Sequence, residues 1–483
     1  MTQIALVEGA YQSRSLIADA QQCVNLYTEK CPPDSPYPYI HYPTPGLNLL
    51  TTCPVVGPVR ATYTASNGSL FVVVSNRVYL VTQSYGWNLL GHINSYTGFV
   101  SIKDNSLCCV IVDGTQKGFV IDLATNAFGQ ISLTNWNPAS RVDYLDTYLI
   151  FSIVASNEFF FSLAEATYTM FTNGTAFDPL DFAAKTGGND LMVGVAVMHR
   201  ELWLIGAATS EVWFDAGAAD FAFQAMPGAF VEHGCSSVGS IAKYDLVLYW
   251  LGQDTSGNSV VFEGAQYRVR KISTEAIDNE IMSYPVKNDA LGFIYQQQGH
   301  VFYVLVFPSQ DVTWVYDLKE GHWHKRAWMD TNGNLHRWRA NCACVFNNQI
   351  IVGDYQNGNL YSLDLDTYLD NGQPIARIRS FPHVVAENDR MIHRNLIAAM
   401  EVGDEMVNTT ADTCAVSLRF SDTAGRSYGD AIVQSLGNTG HYNTSLQWNR
   451  LGLARDRVYE LSWSAPVKTS LQGVYLDAIR CAS

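Results

Sequence analysis

The sequence predicts an all-β chain: an irregular β-propeller of about six or seven blades, flanked by an extended N-terminal arm and a small C-terminal antiparallel β domain. Three observations predict it. The composition is 47% apolar, 12% aromatic and only 16% charged, with 26 Tyr, 22 Phe and 36 Gly, the vocabulary of strands and tight turns. A unit of two alternating apolar strands, each led by turn residues, recurs through the middle of the chain. Both ends depart from that unit.

Residues 1–50 differ first. After a polar start, Cys31-Pro32-Pro33-Asp34-Ser35-Pro36-Tyr37-Pro38 and Tyr42-Pro43-Thr44-Pro45-Gly46-Leu47 are proline-rich. Proline removes amide donors and holds the chain extended, so the expectation is an arm or lid rather than a core element.

Residues 51–375 carry the repeat. Leu70-Phe71-Val72-Val73-Val74 is followed by Arg77-Val78-Tyr79-Leu80-Val81, and Cys108-Cys109-Val110-Ile111-Val112 by Gly118-Phe119-Val120-Ile121. Equivalent pairs begin at Tyr148 and Glu158, at Glu201 and Glu211, at Leu246 and Ser259, at His300 and Thr313, and at Gln349 and Gly358. A period of roughly 40 to 55 residues is the size of one four-stranded blade. A blade is apolar on both faces and cannot bury them alone, so blades pack face to face around an axis. The Trp-Asp dipeptide of regular propellers does not recur, hence the expected irregularity.

Residues 376–483 change character again. Short strands are expected at Val416–Phe420, 445–448, 458–463 and 473–476, separated by turn residues near Asp422, Gly437 and Pro466.

A formal net charge of −15 makes electrostatic gripping of phosphate an improbable main task. No apolar run approaches the roughly 18 residues of a spanning helix, so membrane insertion is not expected. The first fifteen residues lack a basic stretch followed by an apolar one, so no secretory leader is expected. The ten cysteines show no C-x-x-C spacing, and buried free thiols are expected rather than zinc or redox chemistry.

Neither a phosphate-binding loop nor H-E-x-x-H nor G-x-S-x-G occurs. Gly321-His322-Trp323-His324-Lys325-Arg326-Ala327-Trp328, with His336-Arg337-Trp338-Arg339, places alternate histidines on one strand face and mixes aromatic with basic residues. Such a stretch suits a metal or single-stranded nucleic acid, but no third ligand is evident, and the expectation is a blade's outer strand of packed tryptophans with solvated cations. Ser421-Asp422-Thr423-Ala424-Gly425-Arg426-Ser427-Tyr428 is similar to the Asp-box turn of sialidases, with Tyr in place of the usual Trp. Glycosidase chemistry needs two opposed carboxylates. Asp143, Asp146, Asp178, Asp181 and Glu201 supply acids without a pairing, and acids in β-turns are turn formers. No catalytic, cofactor-binding or metal-ligating residue is therefore assigned, and no enzyme activity or cofactor is expected.

Three stretches carry a family resemblance. They are Gln21-Gln22-Cys23-Val24-Asn25-Leu26-Tyr27-Thr28-Glu29 with Thr44-Pro45-Gly46-Leu47; Asn157-Glu158-Phe159 through Phe177-Asp178-Pro179, Asp190 and Glu211-Val212-Trp213-Phe214; and Trp448-Asn449-Arg450-Leu451-Gly452 with Arg455-Asp456-Arg457 and Ala465-Pro466-Val467. In this order the chain resembles the packaged-DNA stabilisation, or tail hub and nozzle, proteins of short-tailed bacteriophages. The resemblance implies a virion protein assembled in the host bacterial cytoplasm and present as a homohexameric ring below the portal. Its implied partners are the tail adaptor ring, tail needle, spike or fibre proteins, and double-stranded DNA in the channel without sequence-specific contacts. The implied function is to extend and close the DNA exit channel, stabilise the packaged genome and take part in ejection. The competing expectation is a propeller-type carbohydrate-binding or glycan-cleaving tail protein.

Overall fold

In the computed structural model, residues 2–4, 12–218, 221–253, 257, 259–403, 414–442 and 444–481 are described, so most of the stretch scanned for a leader lies outside the described residues. The chain is an all-β propeller with two short helices, Tyr168–Asn173 and Glu275–Ser283, in its loops.

Seven antiparallel sheets form the blades. Their innermost strands are Val59–Thr64, Ser101–Asp104, Ala139–Leu145, Met192–Met198, Ala242–Tyr244, Leu291–Gln297 and Ala340–Phe346, in blades 1 to 7. The last of these stands against the first, which closes the ring.

The repeated strand pairs of the sequence are the second and third strands of each blade. Leu70–Val74, Cys108–Val112 and His300–Phe307 are buried at every position because another blade covers each face. Alternation then sorts the side chains. Leu70, Val72 and Val74 pack with Ile351 and Leu360 of blade 7, while Phe71 and Val73 pack with Cys109 and Ile111 of blade 2. Seven apolar clusters fill the seven interfaces between blades, and fully burying one such side chain stabilises by about 1.5–3 kcal/mol.

Blade 7 is composite. Its outer strand, Gly46–Thr52, comes from the other end of the chain and pairs antiparallel with Asn359–Asp364. A boundary at residue 50 would therefore cut through a strand. Gly46 begins it where the carbonyl oxygens of Thr367 and Leu369 would lie 2.1 and 2.6 Å from a Cβ, so no side chain fits there.

The N-terminal segment is also more than an extended arm. Leu26–Lys30 and Tyr39–Pro43 form a hairpin, and the prolines between them occupy its connection, where no ladder donor is required. The C-terminal region is a two-sheet layer. One sheet runs Leu26–Lys30, Tyr39–Pro43, Leu471–Arg480, Met391–Met400, Leu446–Ala454; the other continues blade 6 through Gln22–Val24, Arg377–Ser380, Asp456–Trp463, Ala415–Ser421 and Ile432–Ser435. Trp448, Leu461 and Trp463 share one core with Tyr303 and Leu305 of blade 6, so the layer is fused to the propeller.

Candidate functional site

A group of charged side chains gathers on the propeller axis. A cavity of about 220 Å³ is lined by residues of the innermost strands, among them Arg60, Thr62, Lys103, Arg141, Asp143, Lys243 and Asn341. It adjoins a vestibule of about 690 Å³ on the face where the chain enters those strands, lined by Pro58, Phe99, Asp113, Asp289, Arg337 and Tyr355 among others.

Asp143 of blade 3 is the hub of the axial network. Its carboxylate lies 3.4 Å from Lys103 Nζ of blade 2 and 3.1 Å from Lys243 Nζ of blade 5, and it accepts the Val197 amide of blade 4 at 2.8 Å. Burial pushes its pKa up, but Lys243, Lys103 and the Val197 amide outweigh burial and hold the carboxyl at about 2. Lys243 also donates to Val197 O at 2.9 Å, and burial lowers its pKa against the attraction of Asp143. Arg141 donates to the carbonyls of Val238 and Ile241, each at 3.1 Å, while its buried Nε has no partner. Arg60 donates to the carbonyls of Ser75, Ser95, Thr97 and Gly98, and burial lowers its pKa to about 10.

The innermost strands of blades 1, 2, 3, 5 and 7 contribute the polar positions, while blade 6 brings only Leu291, Gly292 and Phe293 to the cavity. Of these residues, only Asp143 stood among the sequence candidates. The others sit in unrelated blades at no fixed spacing, so the only signal was a charge inside an otherwise apolar strand.

The remaining candidates disperse. Asp146 pairs with exposed Arg200, and Glu201 accepts from the Tyr267 hydroxyl. Asp178 and Asp181 do come together, in a 330 Å³ cavity on blade 3 with Asn135, Trp136 and Glu158; burial and then Asp178 raise Asp181 to about 6.

In the histidine stretch, Trp323 donates to Ile272 O at 2.9 Å and Lys325 pairs with Glu280 at 2.8 Å. His324 is buried and held far below its usual pKa, first by burial and then by Arg326. The Arg326 guanidinium lies 4.6, 5.2 and 5.3 Å from the ring centroids of Trp338, Tyr295 and Phe302. Arg326 thus sits in the junction of blades 6 and 7, while Trp323 and Lys325 face the blade 5 side. Among the described residues, no group of three or more His, Cys, Asp or Glu has metal-ligating geometry. The ten cysteines are free thiols, six of them buried.

The Asp-box-like turn also holds structure together. Asp422 accepts from Arg457 Nε at 2.6 Å and Nη2 at 2.7 Å, a bidentate pair that also involves the third resemblance stretch. The first stretch has the same character. Asn25 adopts φ 56°, donates to the Ala327 and Ala376 carbonyls and accepts the Ala327 amide, so it stitches blade 6 to the C-terminal layer. In the second, Asp190 holds buried Lys185 and the Ala208 and Thr209 amides, and Glu211 accepts from Gly187 and from Trp213 Nε1.

The fold and these contacts define a closed seven-bladed β-propeller whose resemblance-bearing residues fasten one segment to another. A family described as "Bacteriophage P22 Gp10, beta-propeller", a phage stabilisation family, matches residues 2–368. The chain belongs to that family of phage structural proteins. No curated protein matches. Solved structures that are similar include the extracellular domain of the hybrid two-component system BT4673 from B. thetaiotaomicron, at 6% identity and TM-score 0.42, covering 65% of this chain and 39% of that one. Another is the WD40 β-propeller domain of Doa1, at 10% identity and TM-score 0.40, covering 66% and 96%. Among the described residues, no helix is long and apolar enough to cross a membrane.

Proposed function

We propose that this chain is the hub or nozzle of a phage tail, a non-enzymatic virion protein that extends and closes the DNA exit channel and stabilises the packaged genome. The family match over residues 2–368 is the observation that carries this reading. In it, copies form a homohexameric ring beneath the adaptor ring, with tail needle, spike or fibre proteins as neighbours, and DNA passes without sequence-specific contacts. The net charge of −15 suits passage of a polyanion, since sparse cationic contact means little phosphate adhesion. Assembly takes place in the host cytoplasm.

A closed ring needs two different complementary faces on each subunit. The C-terminal layer supplies one candidate. Ile392, Leu453 and Ile479 are cross-strand neighbours on three adjacent strands, and all three are exposed. Strand Ile432–Ser435, at the edge of the second sheet, adds exposed Ile432 and Val433.

The test is mass photometry of the purified chain with phage particles stopped after DNA packaging and before tail completion. Attachment as a closed ring of about six copies, with DNA then retained, supports the hub. A chain that neither attaches nor retains DNA refutes it.

The blade 3 cavity favours a second reading, binding or cleavage of a host glycan, because carboxylates and an indole share one depression. Release of reducing ends from host polysaccharide, lost in Asp181→Asn, would establish it.

A further inference from the structure

We propose that the axial cavity is a binding site for a small oxyanion of the phosphate class, seated among Lys103, Arg141 and Lys243.

The charge balance points to an anion. Arg60, Lys103, Arg141 and Lys243 line the cavity against a single carboxylate, Asp143; with Arg60 answered by Asp113 of the vestibule, two positive charges are left over inside a chain whose overall charge is −15. The excess is local. In the vestibule Arg60 and Arg337 face Asp113 and Asp289, and the charges cancel. Concentrating like charges at the centre of a closed ring is costly unless something answers them.

Unused hydrogen-bonding capacity marks the same place. The Nε of Arg141 is buried without a hydrogen-bond partner, and Arg141 lines the cavity. A buried donor without an acceptor is rare in folded proteins. Arg60 needs no anion, because four carbonyls and the Ser95 hydroxyl surround its guanidinium. Lys103 meets only Asp143 and keeps free N–H positions, since an ammonium has three donors, while Lys243 contacts both Asp143 oxygens and the Val197 carbonyl and adds its charge. Lys103, Arg141 and Lys243 come from blades 2, 3 and 5, so one tetrahedral anion touching them would tie three blades across the axis.

Size and access agree. A volume of about 220 Å³ holds a phosphate with one or two waters. The vestibule gives a route from solvent that is too narrow for a nucleic-acid duplex, so the ligand is a free ion and not the DNA backbone. This inference does not depend on the tail assignment.

The experiment titrates inorganic phosphate into the full chain, followed by calorimetry and by thermal unfolding, with chloride at matched ionic strength as the reference. Phosphate is expected to bind one per chain and to raise the unfolding temperature in a saturable way that chloride does not reproduce, because a ligand that binds only the native state stabilises it. Arg141→Gln is expected to weaken phosphate binding at least tenfold. Arg141→Lys keeps the charge and removes Nε, and is expected to weaken it less; this variant decides the matter if the glutamine variant unfolds. Arg200→Gln, on the exposed Asp146 pair, is expected to bind as the parent does. Phosphate effects equal to those of chloride, or binding undiminished in both Arg141 variants, overturn the proposal. A 5′-phosphorylated duplex that competes for the site overturns the free-ion assignment.

Discussion

Blades 2 to 5 and the junction of blades 6 and 7 with the C-terminal layer are built from similar strands but held in different ways. Each of blades 2 to 5 is one contiguous stretch, and the largest fully buried side chains there are Trp203, Trp250 and Phe151. The composite region gathers segments from both ends of the chain. There Arg326, Arg377, Arg379 and Arg457 are fully buried, together with His41, His300 and His393. Apolar packing suffices where sequence neighbours pair through short turns, because the turn sets the register. Strands that meet from hundreds of residues apart have no turn to align them, and directional contacts such as Asn25 to Ala327 and Arg379 to Gln21 specify the pairing instead.

The sharpest way to break this comparison is to remove the ring closure. Deleting residues 46–52 leaves blade 7 without its outer strand and exposes Leu360 and Tyr361; loss of cooperative unfolding by near-ultraviolet circular dichroism is expected. Deleting the outer strand of blade 2, Phe128–Gln130, which is partly exposed and closes nothing, is expected to leave a folded chain.

Volume-conserving substitutions test the two regions directly. Arg457→Met in the composite layer removes the charge-assisted hydrogen bonds from a buried guanidinium to half-exposed Asp422 and is expected to cost about 2 kcal/mol in urea unfolding, in the usual range for hydrogen bonds to charged groups. Phe151→Leu, between blades 2 and 3, is expected to cost about 1 kcal/mol, because a neighbouring apolar cluster repacks around it. Equal costs would remove the distinction.

Titration separates them by sign. Asp143 has its folded pKa depressed to about 2, so its stabilising contribution is present above its ordinary value of 3.8 and disappears as pH falls through 2. Asp370, in the composite blade 7, is raised to about 7 by burial, with Asp354 adding to it and Arg339 opposing it. Its contribution is fully present below pH 3.8 and is lost as pH rises through 7. Asp370→Asn is expected to flatten the decline in unfolding temperature between pH 5 and 8, while Asp143→Asn leaves that limb intact.

The smallest expected effect concerns the exposed row. Leu453→Ser is expected to change stability by no more than about 0.5 kcal/mol, as for other surface positions. If this face joins subunits, the same variant weakens ring formation in mass photometry.

Periodicity made the propeller legible because the second and third strands of each blade are buried on both faces, and two-sided burial leaves uninterrupted apolar runs such as Phe71-Val72-Val73-Val74. The outer strands, such as Trp87–His92, are short and partly exposed, so they carry little pattern. Met391–Met400 was hidden for a related reason, since its alternation includes His393, Arg394 and Asn395. Proline content made residues 31–45 read as an arm, although only the hairpin connection and its edges hold the prolines.

Local sequence thus determined the all-β class, the blade repeat, the free thiols and the changed character of both ends. Each of these rests on residues within one strand pair or one turn. Tertiary structure decided that there are seven blades, that Gly46–Thr52 completes the last one, and that Arg60, Lys103, Arg141, Asp143 and Lys243 meet on one axis. Ring closure brings together positions separated by up to about three hundred residues, and no spacing along the chain encodes a meeting that depends on the rotation of one blade against the next.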